Sequence, residues 1–291
     1  MIPAPPPQAV WGRVLERALE EDLGDTGDLT SNAVVPASAV ARGRIVAREG
    51  GVVAGLDISM ATFGLIDERV EVTSRAEDCN RVDAAATLAI VSGPARAILA
   101  GERVALNLLG RMCGIATRTA QVVAAVAGTK AVIAATRKTT PGLRALEKYA
   151  VRCGGGAAHR FGLHDAVLIK DNHLVVAGSV TAAIEAARST VGHLTKVEVE
   201  VTSLAQLDEA LSAGADVILL DNMSLDDLLA AVARTSGRAV LEASGGITPE
   251  NVAAVAGTGV DVISLGWLTH SAPALDVALD FEGDEQLAIG N

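Results

Sequence analysis

The sequence from residue 196 to residue 222 reads KVEVEVTSLAQLDEALSAGADVILLDN. It opens with an apolar run of strand length, continues through a helix-length segment that starts near Ser203, and closes with a second apolar run. Serine is a preferred helix cap, and runs dominated by Val, Ile and Leu are typical of strands covered on both faces. This stretch therefore predicts one β-α-β unit of a parallel sheet.

The same alternation extends over the second half of the chain. Strands are predicted at Ala131–Thr136, Ala166–Ile169, Lys196–Val201, Asp216–Leu220, Arg238–Leu241 and Val260–Leu265. Helices are predicted at Pro141–Val151, Ser179–Thr190, Ser203–Ala213, Leu225–Arg234 and Pro249–Ala256. Repeated strand-helix units of about 20–35 residues indicate either a parallel β/α barrel or a doubly wound sheet.

The first part of the chain has a different pattern. A helix is predicted at Val10–Leu23, and short strands are predicted at Ala41–Ala47, Gly51–Ala54, Val70–Ser74 and Leu88–Val91. From Gly93 to about Gly128 the chain is rich in Ala and Leu and is predicted to be helical, with one break near Met112–Gly114. We expect an α+β lobe, a helical connector and then the barrel.

The composition argues against several classes of function. The chain has 291 residues, of which 50% are hydrophobic and 2% aromatic, and its net charge is −11. So few aromatic rings argue against a surface that stacks single-stranded nucleic acid. The negative charge argues against binding to phosphate backbones or to anionic membranes. No uninterrupted apolar run reaches the ~18 residues that a membrane span needs.

The cysteines and the N-terminus indicate a cytoplasmic location. Cys79, Cys113 and Cys153 are odd in number and widely spaced, which argues against a disulfide framework and against a zinc site. Residues 1–7 have neither the basic region nor the apolar region of a signal peptide. We therefore expect a protein of a reducing compartment.

Polar residues and glycines gather where the predicted strands end, which is the functional edge of a β/α barrel. These positions hold Arg137, Lys138, Lys170, Glu198, Glu200, Asp221, Glu242, Ser244, Gly245, Gly246 and Gly266. Between residues 137 and 173 there are seven Lys or Arg, three His and only three acidic residues. This concentration predicts an anion site, although a solvated basic helix face accounts for Arg144, Lys148 and Arg152.

Two of these groups have a functional and a structural interpretation. The segment Ser244–Gly246, together with Gly266, fits a phosphate site between the last two strands, and it also fits ordinary tight turns. His159 and Arg160 follow three glycines, and they fit either a ligand contact or a structural role. The residue types alone leave both questions open.

The acidic residues of the strand ends are equally open to interpretation. Glu198 and Glu200 share one face of their strand, so both should point inward, where they need either a function or a salt bridge. Glu200 and Asp221 fit contacts with sugar hydroxyls, a hydrated Mg²⁺, or an oxocarbenium-like centre.

Several strings resemble those of the quinolinate phosphoribosyltransferase family, also called nicotinate-nucleotide pyrophosphorylases (carboxylating). They are EDLG at 21–24, GERVALN at 101–107, TRKTTPGLR at 136–144, AHRFGL at 158–163, LIKDNH at 168–173, VEVEV at 197–201, LDN at 220–222 and SGGI at 244–247. The resemblance extends from about residue 10 to about residue 270, and the combined set is far more specific than any single string.

The resemblance implies an α/β fold: an open β/α barrel of the type II phosphoribosyltransferase kind with an N-terminal α+β sandwich lobe. The lobe would comprise residues 1–110, with the C-terminal tail 268–291 packed on it, and the barrel would comprise residues 111–267. A homodimer with shared active sites is also implied. The implied reaction joins quinolinate and 5-phosphoribosyl-1-pyrophosphate (PRPP), with Mg²⁺, to give nicotinate mononucleotide, pyrophosphate and CO₂, the entry into NAD from the de novo route.

The resemblance also implies roles for single residues. Lys138, Glu200 and Asp221 resemble the catalytic residues, the lysine near the ribose and pyrophosphate and the two acids near the ribose hydroxyls or a hydrated Mg²⁺. The residues that resemble the quinolinate-binding set are Arg103, Arg137, His159, Arg160 and Lys170, with Arg103 reaching into the partner's site. The residues that resemble the 5′-phosphate cradle are Ser244, Gly245, Gly246 and Gly266. Arg48 and Arg118 are further candidates for anion contacts.

Three alternatives stay open at this point. A molybdate-operon-type paralogue would share the fold and the PRPP cradle but take another substrate, and turnover of quinolinate but not nicotinate distinguishes the two. A Schiff-base lyase would use Lys170 as its nucleophile. A non-catalytic phosphate-binding barrel would bind PRPP without turning it over.

Overall fold

A computed structural model of the chain describes residues 3–282, which form two compact units. The first, called the lobe here, comprises residues 3–120, 139–155 and 269–282. The second, called the barrel unit, comprises residues 121–138 and 156–268. Within the described residues, no helix is long and apolar enough to span a membrane.

The twelve strands are β1 (Val40–Ala47), β2 (Gly51–Val52), β3 (Glu71–Ser74), β4 (Arg81–Val82), β5 (Thr87–Pro94), β6 (Val132–Ala134), β7 (Val167–Ile169), β8 (Val197–Val201), β9 (Val217–Asp221), β10 (Val240–Ser244), β11 (Val262–Ser264) and β12 (Val277–Phe281) in the described part of the chain. The helices there are α1 (Gln8–Leu23), α2 (Leu29–Val34), α3 (Leu56–Ile66), α4 (Ala95–Ala125), α5 (Arg144–Cys153), α6 (Asp171–Ala177), α7 (Val180–Thr190), α8 (Leu204–Ser212), α9 (Leu225–Thr235), α10 (Val252–Gly257) and α11 (Trp267–His270).

The lobe is built on an antiparallel sheet with strand order β12-β1-β5-β3, beside a short β2-β4 ribbon. Its core includes Phe63, Leu88, Ile98 and Leu109, all of them fully buried. The sequence analysis did not predict α3, which starts after the left-handed Gly55. The carboxylate of Asp78 accepts the backbone N–H groups of residues 55 and 56 and so caps that helix from a distant part of the chain.

Helix α4 is continuous, so the break predicted near Met112–Gly114 is wrong. The glycines have a different purpose, because the segment 273–275 passes directly over them. A Cβ on Gly114 would lie 1.9 Å from the carbonyl oxygen of Pro273, and a Cβ on Gly110 would lie 2.8 Å from that of Leu275. Glycine therefore marks a close backbone contact on this helix.

We expect Gly114→Ala to destabilise the protein by at least ~2–3 kcal/mol, because the new methyl group overlaps a backbone oxygen that has no rotamer to change. Gly12→Ala is the matched control. It lies in α1 with nothing within 4 Å of the new Cβ, and it should stabilise the helix by ~0.5–1 kcal/mol. Urea unfolding of both variants measures the two effects. Equal unfolding midpoints for Gly114→Ala and the unsubstituted protein would contradict the packing argument.

The barrel unit contains six parallel strands in the order β6-β11-β10-β9-β8-β7. This order follows the chain from β7 to β11, whereas a doubly wound sheet reverses its order in the middle. The sheet is open between β6 and β7, and Ala134 of β6 makes an isolated parallel bridge to Ala157, upstream of β7. The predicted open β/α barrel is confirmed, and all six predicted strands are present.

Two segments of the second half of the chain cluster with the lobe. Helix α5 does so because Tyr149 donates a hydrogen bond to Asp78 and Glu147 pairs with Arg111 at 2.8 Å. Strand β12 pairs with β1 in antiparallel fashion. The domain limits given in the sequence analysis stay a prediction, and residues 283–291 of the predicted tail lie outside the described residues.

Candidate active site

Arg137 and Arg160 belong to the cationic stretch of residues 137–173. Arg137 follows β6, and Arg160 precedes β7. The Nε of Arg137 is buried and has no hydrogen-bond partner in the part of the chain that the structure describes. The pKa of Arg160 is lowered, first by partial burial and then by the like charge of Arg137. Two partly desolvated cations that repel one another favour an anion between them, and a bidentate carboxylate matches the geometry of guanidinium.

His159 is held at both ring nitrogens. Its Nδ1 accepts a hydrogen bond of 2.7 Å from the backbone N–H of Arg160. Its Nε2 lies 3.2 Å from a carboxylate oxygen of Glu242 and 3.8 Å from one of Glu198. The residue has a left-handed backbone with φ of 54°, which is uncommon for a residue that carries a Cβ.

Three carboxylates lie inside the barrel unit, as the shared face of Glu198 and Glu200 predicts. Glu198, Glu200 and Glu242 are only 6%, 8% and 3% exposed. Glu200 forms a salt bridge: its carboxylate lies 2.5 Å from the ammonium of Lys170, a side chain that is 46% exposed. Glu198 and Glu242 each keep one buried oxygen without a partner among the described residues.

The pKa of Glu198 is raised to about 7, first by burial and then by the neighbouring charge of Glu242. The charges of Arg160 and Lys170 act in the opposite direction. Near neutral pH the carboxyl of Glu198 is therefore partly protonated, because burial and a neighbouring negative charge both disfavour its ionised form.

This pKa shift predicts how stability depends on pH. The folded state binds a proton at Glu198 that the unfolded state releases near pH 4.5, so the stability of the protein falls as pH rises from about 4.5 to 7. Glu198→Gln replaces the titrating carboxyl with an amide, which takes up no proton in this pH range. The unfolding free energy of the variant, relative to the unsubstituted protein, should therefore rise between pH 5 and pH 8 by an amount of the order of 3 kcal/mol.

Urea unfolding at the two pH values measures this difference, with Glu20→Gln on exposed α1 surface as the control. The control should show the same difference from the unsubstituted protein at both values. A difference for Glu198→Gln that is likewise independent of pH would contradict the burial of a proton in this pair.

Strand β10 ends in a loop that encloses a cavity of about 280 Å³. Gly245 and Gly246 have φ of +87° and +60°, conformations that favour glycine. A Cβ on Gly245 would lie 2.4 Å from the side chain of Asn222. Asn251 braces the loop by donating to the carbonyl of Gly246 at 3.1 Å and by accepting the N–H of Thr248 at 2.8 Å.

The end of strand β9 is joined to this loop. The N–H of Asn222 donates to the carbonyl of Ser244 at 2.9 Å, and its side-chain amide donates to Asp221 at 2.8 Å. Asn222 is left-handed, with φ of 53°. Helix α10 starts at Val252, after a turn, because Asn251 uses its side chain on the loop; the predicted start at Pro249 is three residues too early.

The sequence that forms the cationic pocket and the glycine loop is similar to that of known proteins. A sequence profile of the N-terminal domain of quinolinate phosphoribosyl transferase matches residues 28–113, and a profile of its C-terminal domain matches residues 115–280. The chain belongs to this family. A probable nicotinate-nucleotide pyrophosphorylase (carboxylating) from Bacillus subtilis (strain 168) is 46% identical over 268 residues, which is 92% of both chains.

Two further relatives agree with this membership. The nicotinate-nucleotide pyrophosphorylase (carboxylating) of Mycobacterium leprae (strain TN) is 49% identical over 273 residues, covering 91% of this chain and 95% of the relative. The structure of the nicotinate-nucleotide pyrophosphorylase from Francisella tularensis is 37% identical and has a TM-score of 0.91, covering 95% of this chain and 98% of that one.

The remaining residues that the family resemblance assigns lie at the ends of strands or in the lobe. Lys138 is exposed after β6, where its backbone N–H donates to the hydroxyl of Thr136 at 3.0 Å. Gly266 follows β11 and is partly exposed. Arg103 and Arg118 belong to the lobe section of α4, and the guanidinium of Arg103 is exposed, 3.8 Å from Glu102. Arg48 forms an ion pair of 2.5 Å with Asp280 in the lobe.

Glu200 and Asp221 are the residues that fit a hydrated Mg²⁺. Mg²⁺ in proteins keeps several waters and needs only one or two carboxylates besides phosphate oxygens. One oxygen of Glu200 is paired with Lys170 and one oxygen of Asp221 accepts from Asn222, so each carboxylate has a second oxygen to offer. His159, Glu198 and Glu242 are also close enough together to hold an ion, but cations already surround that group.

Three residues of this arrangement are not among the catalytic and substrate-binding residues predicted from the sequence. Asn222 joins two loops, Glu242 contacts His159, and Glu198 lies within reach of the same ring. Glu198 and Glu242 carried a signal, because a carboxylate on the inner face of a barrel strand is costly without a partner. Their partner is contributed by a loop, which a pattern of strands does not locate.

Proposed function

We propose that this protein transfers the phosphoribosyl group of PRPP to quinolinate with loss of CO₂, giving nicotinate mononucleotide and pyrophosphate for the synthesis of NAD. The observation that carries this proposal is the buried Nε of Arg137, which lacks a hydrogen-bond partner in the described part of the chain and lies near Arg160, in the unit that also holds the glycine loop after β10. Such a pocket suits a dicarboxylate, and the names of the relatives support this reaction over that of a paralogue with another substrate.

Quinolinate would bind in the cationic pocket of Arg137, His159, Arg160 and Lys170. Guanidinium groups grip carboxylates through paired hydrogen bonds, which fixes both the position and the rotation of the pyridine ring. The ring nitrogen is then aligned with C1 of the ribose, and this alignment replaces an unfavourable encounter in solution. Like charges on the two substrates would oppose their meeting without this density of cations.

PRPP would place its 5′-phosphate on Ser244, Gly245, Gly246 and Gly266. The positive φ angles of the two loop glycines turn the backbone so that a phosphate can approach it closely. Asp221 lies beside this loop, because it pairs with Ser244 in the sheet and the next residue, Asn222, donates a hydrogen bond to the carbonyl of Ser244.

The reaction forms a bond between the pyridine nitrogen and C1 while the bond from C1 to the pyrophosphate oxygen breaks. Positive charge develops on the ribose, and Glu200 and Asp221 would stabilise it. Lys138 would stabilise the departing pyrophosphate. Glu200 and Asp221 would also hold a hydrated Mg²⁺, which would supply further positive charge. Loss of CO₂ then leaves the bonding electron pair on C2, where the adjacent quaternised nitrogen stabilises the carbanion by its positive charge until a proton adds to C2.

We also propose a cytoplasmic homodimer, in which Arg103 of one subunit enters the site of the other. The three cysteines are free thiols, which supports a reducing compartment. The exposed guanidinium of Arg103, whose ion pair with Glu102 is long at 3.8 Å, supports a role outside its own subunit.

The decisive experiment follows nicotinate mononucleotide and CO₂ from quinolinate, PRPP and Mg²⁺, with nicotinate as the parallel substrate. We expect turnover of quinolinate and none of nicotinate. A folded sample that binds PRPP but turns over neither compound would overturn the proposal and favour a phosphate-binding barrel or a paralogue with another substrate.

A further inference from the structure

We infer that Glu242 is a positioning residue, which fixes the ring of His159 so that His159 in turn fixes the backbone of Arg160. The inference rests on the proposed function, because Arg160 belongs to the proposed quinolinate pocket. Glu242 lies in the middle of β10, is 3% exposed, and was not among the residues assigned to a substrate.

The hydrogen bonds define the protonation of the ring. Because Nδ1 accepts the N–H of Arg160 at 2.7 Å, that nitrogen carries no proton, and the ring proton resides on Nε2. Nε2 lies 3.2 Å from Glu242. Both ring nitrogens therefore already have protein partners, and the imidazole connects the inner wall of the barrel to the backbone of residue 160.

The backbone of His159 explains why such a connection is needed. A left-handed φ of 54° is strained for a residue with a Cβ and persists only where the surroundings hold it. The two contacts of the ring provide that hold. They set the direction in which Arg160 leaves the main chain, and its guanidinium is then steadied by a hydrogen bond of 3.2 Å to the carbonyl of Ala166.

The energetics also indicate a role in function. Glu242 is buried with one oxygen that has no partner among the described residues, and it lies close to a second buried carboxylate, Glu198. Burial of such groups is costly, and the charge of Glu242 also repels that of the buried Glu198. Glu242 is thus expected to weaken the fold while it holds the pocket, so stability and substrate affinity should respond to its removal in opposite directions.

The test compares Glu242→Leu with Glu242→Gln in the full-length protein. The leucine variant removes the acceptor for Nε2, and we expect its KM for quinolinate to rise about tenfold or more while its KM for PRPP stays within about twofold. The glutamine variant keeps a carbonyl acceptor and should stay within about threefold of the unsubstituted protein for both substrates. The unfolding midpoint of the leucine variant should be unchanged or higher.

Thr235→Val is the matched control. Thr235 is 2% exposed, its hydroxyl has no partner among the described residues, and it lies on α9. Its substitution should leave both KM values unchanged. Equal increases in both KM values for Glu242→Leu, an unchanged KM for quinolinate, or equal losses in the leucine and glutamine variants would overturn the inference.

A second measurement is independent of activity. The chain has five histidines, so ¹⁵N-labelled imidazole signals can be assigned with a His159→Gln variant. We expect His159 to show a proton on Nε2 and none on Nδ1, and Glu242→Leu to shift the Nε2 signal, because that variant removes the carboxylate beside Nε2. If the protein turns over no quinolinate but the tautomer behaves as expected, the proposed function fails and the positioning contact stands; a mixed tautomer in the unsubstituted protein overturns the contact itself.

Discussion

Arg137→Ala should reduce kcat/KM for quinolinate by about 10²–10³-fold. The loss of a buried charge that binds a carboxylate costs about 3–4 kcal/mol, and each 1.4 kcal/mol is a factor of ten. The Nε of Arg137 is buried and has no hydrogen-bond partner among residues 3–282, so this atom is available to a carboxylate of the substrate. Arg137→Lys should lie between the two, because it keeps the charge but loses the paired hydrogen bonds. Initial rates at varied quinolinate measure both variants.

The control for this experiment is Arg234→Ala. Arg234 is another arginine of the barrel unit, but it forms an exposed ion pair with Asp208 at 2.7 Å on the outer helices. Exposed ion pairs of this kind contribute ~0–1 kcal/mol, so activity should stay close to that of the unsubstituted protein. If Arg137→Ala kept its kcat/KM within about threefold, the dicarboxylate pocket would have to be placed elsewhere.

Mixing two inactive variants should restore activity. Arg103→Ala is expected to abolish turnover without unfolding the protein, because its exposed guanidinium forms only a long ion pair with Glu102. Lys138→Ala is expected to abolish turnover from within its own site. A hybrid dimer contains one site in which both residues are intact, so random exchange gives about half of the molecules as hybrids, each with one working site.

The measurement is the rate of nicotinate mononucleotide formation after the two variants are exchanged, followed together with the fraction of hybrid dimer. We expect up to about a quarter of the unsubstituted activity per site. Each variant incubated alone is the control for incomplete inactivation. Proven exchange without recovery of activity would mean that Arg103 serves the site of its own subunit.

The architecture of the barrel unit is readable from the sequence because burial on both faces leaves little choice of residue. The run around Leu219 is apolar for that reason, and each of the six predicted runs is a strand. The polar residues at the ends of these strands can be predicted from the sequence in the same way. The salt bridge between Lys170 and Glu200 could not be predicted in the same way, since the face shared with Glu198 indicates only that both carboxylates point inward.

Other features depend on contacts between distant parts of the chain. The break predicted near Gly114 is wrong because glycine occurs both at helix ends and at close backbone contacts. Only the position of Pro273 shows that Gly114 belongs to the second kind. Helix α3 depends on Asp78 for its cap, and α10 starts late because Asn251 is used by the loop. Such tertiary contacts override the local propensity for helix or strand, and they cannot be predicted from a local sequence pattern.

The pairing of β12 with β1 has a consequence for synthesis on the ribosome. The first strand of the lobe sheet is translated early, whereas its neighbour emerges only after the entire barrel unit. At about 5–20 residues per second, the edge of β1 waits for roughly ten seconds or more before its partner is available. An unpaired strand edge invites association with other chains. A nascent chain halted before Val277 should therefore be the form that depends most strongly on chaperones.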